Sequence, residues 1–430
     1  MNPWIVLVLA LLASHFLFIL IGRKRFDKLS LSLMGPFILW HTKRGLDYLD
    51  KAAGHRKFWD VFHPLALALC YIAMVGMIAL LIADVMVYIR APEAIGGMDP
   101  RLVLGLPGIN PIIPIGYGII GLVVTMVFHE LSHGIVSRHQ GITVRSMGIL
   151  FFILPMGAFV EPDDKEIENS EPSKRLRIEE AGAGMNMIVG IAALLIVALL
   201  AGSMAPKAEG VPVLEASGPI AQAGIKVGDI ITAINGMEIK STEAFVTMME
   251  NFTPGEVIRV RFIHDGTLME SSVSLADLGV LTGVAENAGK AGMGISYDPY
   301  FSLSVFPDAL ANPFSVGNIM FFLTAPLQGT IPFSEPLLSF YATPFNPQAF
   351  SVIANIIYWI SWFNLLVGSF NVLPVSILDG YAIFRDSLLS AGEKLRIAKE
   401  KRERFANTVA RAFSWFFGIL LIFIIITSIA

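Results

Sequence analysis

Six apolar stretches, each about as long as a membrane-crossing helix, dominate this chain of 430 residues. A helix that spans a bilayer needs about 20 mostly apolar residues. The composition agrees, because only 15% of the residues are charged, whereas soluble domains average about a quarter. The stretches are 3–22, 64–89, 112–136, 182–204, 351–372 and 409–430. We therefore expect a polytopic α-helical membrane protein with about six transmembrane helices.

Basic residues set the expected orientation of these spans. Segments 23–63 and 385–405 are rich in Lys and Arg, and the positive-inside rule places such loops in the cytoplasm. Alternation of six spans puts both segments on that side. The stretch 3–22 carries its basic cluster after the apolar core, unlike a signal peptide, so we expect a retained helix with its N-terminus outside.

The net charge of −4 carries no nucleic-acid signature. The lipid bilayer is an expected partner, and nucleic acid is not.

Two further apolar segments do not fit a simple span. Segment 144–164 is broken by Pro155 and Gly157, which favours a re-entrant loop or strand hairpin that dips in from the cytoplasm. Non-helical backbone at that depth must lie against protein or a water-filled cavity. Segment 312–333 is cut by Pro326 and is expected at the membrane interface.

The region 205–300 changes character. Short strand-like runs alternate with Gly and Asp turns, which indicates a soluble β-rich module. Residues 215–239 (EASGPIAQAGIKVGDIITAINGMEI) resemble a bacterial PDZ domain, with Gly-Asp at 228–229 before a strand that ends in Asn-Gly at 235–236. The resemblance implies an inserted PDZ-like α/β domain that binds a peptide or protein ligand by strand addition. Span alternation places this domain outside the cytoplasm.

The stretch VFHELSHGIV (127–136) places three ionisable side chains inside an apolar helix. His129 and His133 lie one turn apart on one face, so both imidazoles can bind one zinc ion, with Glu130 beside it as a base. Each such side chain costs about 2–3 kcal/mol to insert in mid-membrane, so idle ones are rare. If the span starts near Pro111, His129 lies about 27 Å along it. We expect a metal site inside the membrane, toward the cytoplasmic face.

A catalytic zinc generally has three protein ligands and one open position. The single cysteine, Cys70, excludes a cysteine-rich zinc site. Carboxylates expected near the same membrane face are Glu161, Asp163 and Asp164 after the re-entrant segment, and Asp379 just past the fifth span. Depth favours Asp379, but the residues alone leave the choice open.

HELSH in one span, together with NVLPVSILDG (371–380) in a later segment, resembles the site-2 protease family of intramembrane zinc metalloproteases. The later motif matches the family pattern Asn-x-x-Pro-x-x-x-Leu-Asp-Gly. The resemblance covers about 112–384. It includes ILFFILPMGAFVEPD, which is similar to the family's re-entrant β-segment. EAGAGMNMIVG (180–190) resembles a small-residue helix that carries an Asn, here Asn186, although the usual Gly-Pro before it is Gly-Met.

The resemblance implies a zinc metalloendopeptidase that cleaves transmembrane segments of membrane-protein substrates, as in regulated intramembrane proteolysis. The implied zinc ligands are His129, His133 and Asp379. Glu130 is then the catalytic base, and Asn371 and Asn186 are implied to hold substrate backbone or stabilise the oxyanion.

The sequence leaves two alternative functions open. One is a catalytically inactive PDZ-bearing membrane adaptor, against which the intact Glu130 and the intact Leu-Asp-Gly speak. The other is a metal-binding membrane transporter, which is expected to show paired repeat halves that this sequence lacks. The expected organisation is 1–111 (two N-terminal helices and a basic cytoplasmic loop), 112–204 (first part of the catalytic core), 205–300 (PDZ-like domain), 301–350 (interfacial segment), 351–384 (second part of the core) and 385–430 (basic loop and last helix).

Overall fold

The computed structural model describes residues 3–22, 29–35, 37–90, 99–103, 105–152, 154–296, 303, 305–328 and 331–429. The chain forms two compact units, residues 1–192 with 359–430, and residues 193–358. The helices are α1 (Pro3–Gly22), α2 (Leu46–Ala53), α3 (Arg56–Arg90), α4 (Ile115–His139), α5 (Asp164–Glu168), α6 (Pro172–Gly202), α7 (Gly218–Gln222), α8 (Thr242–Met249), α9 (Leu278–Thr282), α10 (Val305–Ala311), α11 (Val316–Thr324), α12 (Glu335–Leu338), α13 (Pro347–Asn371), α14 (Asp379–Lys394) and α15 (Lys399–Ile429). The strands are β1 (Leu31–Met34), β2 (Phe37–Thr42), β3 (Val144–Phe152), β4 (Leu154–Pro162), β5 (Ala205–Pro206), β6 (Val211–Pro212), β7 (Glu215–Ala216), β8 (Ile230–Ile234), β9 (Met237–Glu238), β10 (Val257–His264), β11 (Thr267–Ser274), β12 (Ala276–Asp277), β13 (Ala291–Gly292), β14 (Ile295–Ser296) and β15 (Tyr341–Ala342).

Five helices in the described part of the chain are long and apolar enough to cross a membrane, namely α3, α4, α6, α13 and residues 399–427 of α15. A sixth crossing follows if α10 and α11, which are bent by 101° at a short break, form one span. The prediction of a multi-pass membrane protein is thus confirmed, with five or six apolar helices. The predicted span 3–22 is the helix α1, and its crossing of the membrane stays a prediction.

The first unit contains an antiparallel sheet in the order β1-β2-β3-β4. The β3–β4 pair is a strand hairpin, one of the two forms expected for 144–164, and its depth in a membrane stays a prediction. A series of hydrogen-bonded side chains, one from each strand, crosses the sheet. His41 lies 2.6 Å from Ser32 Oγ and 2.9 Å from Ser146 Oγ. Ser146 in turn donates to Glu161 Oε2 at 2.6 Å. Because β4 ends the order, one of its edges pairs with no strand in the described residues.

Apolar clusters lie between the helices of the first unit. One joins α2, α3, α4 and α6 and includes Leu49, Phe62 and Ile178. Another joins α3 and α6 to α14 and the segment before it, and it includes Cys70 and Ile383. A further cluster joins α3 to α15 and includes Leu81 and Phe417. Helix α3 therefore contacts both α6 and α14.

The second unit contains the β-rich region predicted from the sequence. Its main sheet has the order β11-β10-β8-β6, with β9 paired to β8, over a core that includes Ile231, Phe245 and Val260. The predicted Gly-Asp and Asn-Gly positions are both turns. Gly228 has a φ of 99° and Asn235 a φ of 49°, so β8 begins and ends where the motif places it. Within the segment 312–333, residues 316–324 form α11, and its location at the membrane interface stays a prediction.

Candidate metal centre

Helix α4 places two imidazoles side by side. His129 and His133 lie one helical turn apart, so their rings project from one face. Their Nε2 atoms are 3.2 Å apart, and their side chains are only 7% and 15% exposed. At 1.5 Å per residue, His129 lies about 21 Å from the start of α4. The pair is therefore well inside the apolar length of this helix.

A tight turn after α13 brings Asp379 to the same point. Residues 372–378 fold back over the end of α13, and α14 begins at Asp379. Gly380 permits this turn, because a Cβ there would lie 2.1 Å from the Val372 carbonyl oxygen. Asp379 Oδ2 lies 3.3 Å from His129 Nε2 and 3.4 Å from the other imidazole. The two distant motifs meet at one place.

The three converging atoms form a triangle that suits a zinc ion. Its sides are 3.2, 3.3 and 3.4 Å, and tetrahedral zinc with bonds near 2.0–2.1 Å separates its ligand atoms by roughly 3.3 Å. The Asp379 Oδ2 atom is buried and accepts no hydrogen bond from the described residues. These are the only three residues in the described part of the chain that group in this way. The arrangement fits a cation with two nitrogen ligands and one oxygen ligand.

Helix α6 forms the wall behind the imidazoles. His133 Nδ1 donates to the Ile178 carbonyl oxygen at 2.7 Å, and the Asn186 amide lies 3.1 Å from His129 Nδ1. Between them, a Cβ at Gly182 would lie 2.3 Å from His133 Nε2. Positions 178, 182 and 186 are spaced by four, so they share one face of α6. This face leaves each Nε2 free to point toward Asp379.

Glu130 lies where α4 meets the edge of the sheet. It is half-buried, and its Oε2 accepts a hydrogen bond from the N–H of Val160 on β4 at 3.2 Å. The second carboxylate oxygen accepts none from the described residues. The backbone of the edge strand thus fixes the orientation of this carboxylate beside the triangle.

The other carboxylates weighed from the sequence have different roles. Glu161 accepts the hydrogen bond from Ser146, and Asp164 is exposed in α5. Asp163 caps α5, accepting from two backbone N–H groups, and pairs with Arg145 at 2.7 Å. The hydrogen bond from that guanidinium holds the pKa of Asp163 below its ordinary value. Among the four alternatives, only Asp379 joins the two histidines.

Asn371 is the one predicted site residue that the structure does not connect to the others. It ends α13 and is half-buried. Its side chain makes no hydrogen bond within the described residues. Its implied contact with substrate stays a prediction.

A buried ion pair ties α14 to α6. Asp386 lies seven residues after Asp379 and is fully buried. It accepts from Arg175 Nε at 3.0 Å and from Arg385 Nε at 3.0 Å. Arg175 also donates to the Ser170 carbonyl oxygen. This ion pair therefore holds the first turn of α6 against α14, the helix that begins at Asp379.

Three groups that contact the candidate site were not among the residues predicted from the sequence. The carbonyl oxygen of Ile178 and the N–H of Val160 are backbone groups and leave no trace in residue types. Gly182 lies within the small-residue stretch 180–190, one turn before Asn186 on the same face. That stretch carries the signal, but its close approach to the imidazoles is visible only in the structure.

Comparison with known proteins adds an independent observation. Residues 117–417 match the sequence model of Peptidase family M50. An uncharacterized protein of Methanocaldococcus jannaschii is 27% identical over 384 residues, which is 89% of this chain and 84% of that protein. The zinc metalloprotease RasP of Shouchella clausii is 26% identical over 224 residues, 51% of this chain and 52% of that protein. Among solved structures, the PDZ domain of an SdrC-like protein from Listeria monocytogenes covers 21% of this chain and 88% of its own, at 23% identity and a TM-score of 0.18.

Proposed function

The chain belongs to peptidase family M50, the site-2 protease family, and on that premise we propose that it is a zinc metalloendopeptidase that cleaves transmembrane segments of membrane proteins. The observation that carries the proposal is the triangle of His129, His133 and Asp379, closed to 3.4 Å or less, with Glu130 on the same helix.

The donor set proposed to hold zinc is the Nε2 atoms of His129 and His133 with Oδ2 of Asp379. A zinc ion in such a set polarises a carbonyl oxygen and activates water. Ligation through Nε2 leaves the proton of each ring on Nδ1. For His133 the acceptor is already in place, the Ile178 carbonyl at 2.7 Å.

Asn186 is proposed to accept the Nδ1 proton of the other ring, that of His129. Its Nδ2 faces His129 Nδ1 at 3.1 Å, while its Oδ1 is buried without a hydrogen bond from the described residues. Turning the amide by 180° satisfies both groups, because the oxygen then accepts from Nδ1–H. The geometry favours Asn186 as a positioning residue for His129 over the oxyanion role that the sequence suggested.

Glu130 is proposed as the general base and then the general acid. Val160 N–H holds one carboxylate oxygen, which leaves the other to take a proton from the attacking water. The same oxygen delivers that proton to the leaving amine as the peptide bond breaks. A carboxylate fixed by a backbone group suits this role, since its orientation is set before substrate arrives.

The substrate is proposed to be a membrane-spanning helix that unwinds locally, because a helical peptide bond is shielded by its own hydrogen bonds. The unpaired edge of β4 lies beside Glu130 and offers N–H and C=O groups to such an extended chain. Asn371 is proposed to contact the substrate backbone. The PDZ-like domain is proposed to lie outside the cytoplasm and to bind a peptide there, with the metal centre toward the cytoplasmic side.

Cleavage of a model substrate tests this function. The purified full chain is incubated in detergent with a single-span membrane protein whose helix contains Gly and Pro, with and without 1,10-phenanthroline. We expect cleavage within the span, loss of it with the chelator, and recovery with added zinc. Chelator-resistant cleavage would refute a metal-dependent mechanism. Zinc binding without any cleavage would favour the adaptor or transporter alternatives.

A further inference from the structure

A second site of a different kind lies at the turn between α2 and α3. A cavity of about 800 Å³ opens there, within the range of ordinary small-molecule sites. Its lining combines the cations Arg56 and Lys57 with the aromatic rings of Tyr48, Phe58 and Trp59. None of these residues belongs to the candidate metal centre.

The two cations of this cavity lack a protein counter-ion. Neither Arg56 nor Lys57 forms an ion pair with any carboxylate in the described part of the chain, and both are exposed. The nearby Asp50 pairs with Arg138 instead, at 3.3 Å. Asp60, one turn further along α3, pairs with neither cation. The cavity therefore presents two positive charges that form no salt bridge with the described residues.

The position of the cavity along α3 places it at the membrane surface. Helix α3 has 35 residues, which is about 52 Å, against a hydrocarbon core of about 30 Å. Its first eight residues precede the apolar run 64–89, and the cavity is at that end. Phe58 and Tyr48 are 56% and 62% exposed, and Tyr is one of the two residue types enriched at the level of lipid headgroups.

An apolar strip continues from the cavity into the predicted bilayer. Val61 and Leu65 follow Lys57 at spacings of four on one face of α3. They are 69% and 49% exposed. A molecule with an anionic head and apolar tails can contact both the cationic cavity and the apolar strip. A free anion or an acidic protein segment would contact only the cationic cavity.

We propose that this cavity binds the phosphate headgroup of an anionic phospholipid, with the acyl chains along Val61 and Leu65. Arg56 and Lys57 contact the phosphate, and the exposed rings border it. Ile135 of α4 also lines the cavity, two residues after His133. The bound lipid thus contacts the helix that carries two of the proposed zinc ligands, although the proposal does not depend on their function.

Native mass spectrometry of the delipidated full chain tests the proposal. The protein is titrated with phosphatidylglycerol or phosphatidylcholine of the same acyl chains, and with glycerol 3-phosphate as the soluble anion. We expect tight binding of about one phosphatidylglycerol and weak binding of the other two ligands. Removing both charges in Arg56→Gln/Lys57→Gln should weaken phosphatidylglycerol binding roughly 30-fold, from the usual contribution of each basic residue at an anionic surface.

The control variant is Lys401→Gln/Arg404→Gln. It removes the same charge from exposed positions near the start of another spanning helix, α15, and should bind as the wild type does. Equal losses in both variants would show unspecific charge attraction and overturn the site. Glycerol 3-phosphate binding as tight as phosphatidylglycerol would make it a free-anion site, and tighter binding of a Glu-rich peptide would make it a protein site. If the Arg56/Lys57 variant fails to fold, absence of a headgroup preference in the wild type still refutes the proposal.

Discussion

Gly182→Ala is the most selective perturbation of the proposed metal centre, because it adds one methyl group and alters no ligand. The new Cβ would lie 2.3 Å from His133 Nε2 and 2.7 Å from His129 Nε2. An ordinary contact for a Cβ begins near 3.4 Å. The added atom therefore occupies the space of the two ring edges that are proposed to bind zinc.

The size of the expected effect follows from these distances. His133 must withdraw by about 1 Å, from the difference between 3.4 and 2.3 Å. Metal–ligand distances tolerate only about 0.2 Å, so one ligand is lost or strongly displaced. Disturbing the groups that merely orient a ligand already costs about 10–100-fold in metal affinity. We therefore expect at least about 100-fold weaker zinc binding, or about 2.7 kcal/mol.

The assay is zinc content and zinc dissociation constant of the purified full chain, with thermal unfolding measured in parallel. Gly76→Ala is the matched control, since it is also a helix glycine but has nothing within 4 Å of its Cβ position. Gly184→Ala is the second control, because its Cβ would meet Ala66 of α3 at 2.5 Å on another face of α6. It should lower stability more than metal affinity.

Two outcomes would refute a direct contact between position 182 and the metal ligands. A Gly182→Ala protein with wild-type zinc content and affinity would mean that the metal does not sit between these imidazoles. Equal loss of zinc in Gly182→Ala and Gly184→Ala would mean that general packing of α6, not contact with the rings, controls the metal.

Three further substitutions test the remaining parts of the site. Glu130→Gln should retain zinc and lose cleavage, because it keeps the shape and removes the base; wild-type proteolysis would disprove the assigned role. Asp386→Asn should lower the free energy of unfolding by about 3 kcal/mol, since it leaves the largely buried Arg175 guanidinium without its counter-ion. It should also lower zinc content. Unchanged thermal unfolding would show that the ion pair does not hold α14 in place. Asp163→Asn should leave zinc content unchanged, because that carboxylate caps α5 and pairs with Arg145; loss of zinc would identify it as a ligand.

The sequence predicted most reliably those features for which a residue type in a given setting has few structural roles. Ionisable side chains in an apolar run pointed to His129 and His133, and the long apolar runs predicted the spanning helices. The choice of Asp379 over Glu161, Asp163 and Asp164 was different. Residue types and depth left it open, because it depends on which helix ends meet.

The features that the sequence did not predict are all tertiary. Strands β1 and β2 extend the predicted hairpin into a four-stranded sheet, but segment 23–63 appeared only as a basic loop. The Arg175–Asp386 ion pair joins residues 211 positions apart, and neither residue belongs to a motif. Helix α3 lay outside the family resemblance, although it packs against both α6 and α14. Local pattern cannot reveal such contacts, since they arise from packing.

X-ray absorption at the zinc edge, on the wild type and on Asp379→Ala, tests the central claim most directly. We expect about one zinc ion per chain with two imidazole nitrogens, oxygen ligands near 2.0 Å and no sulfur. In the variant we expect loss of zinc or of one oxygen ligand. A sulfur ligand, or an identical spectrum and zinc content in Asp379→Ala, would contradict the claim.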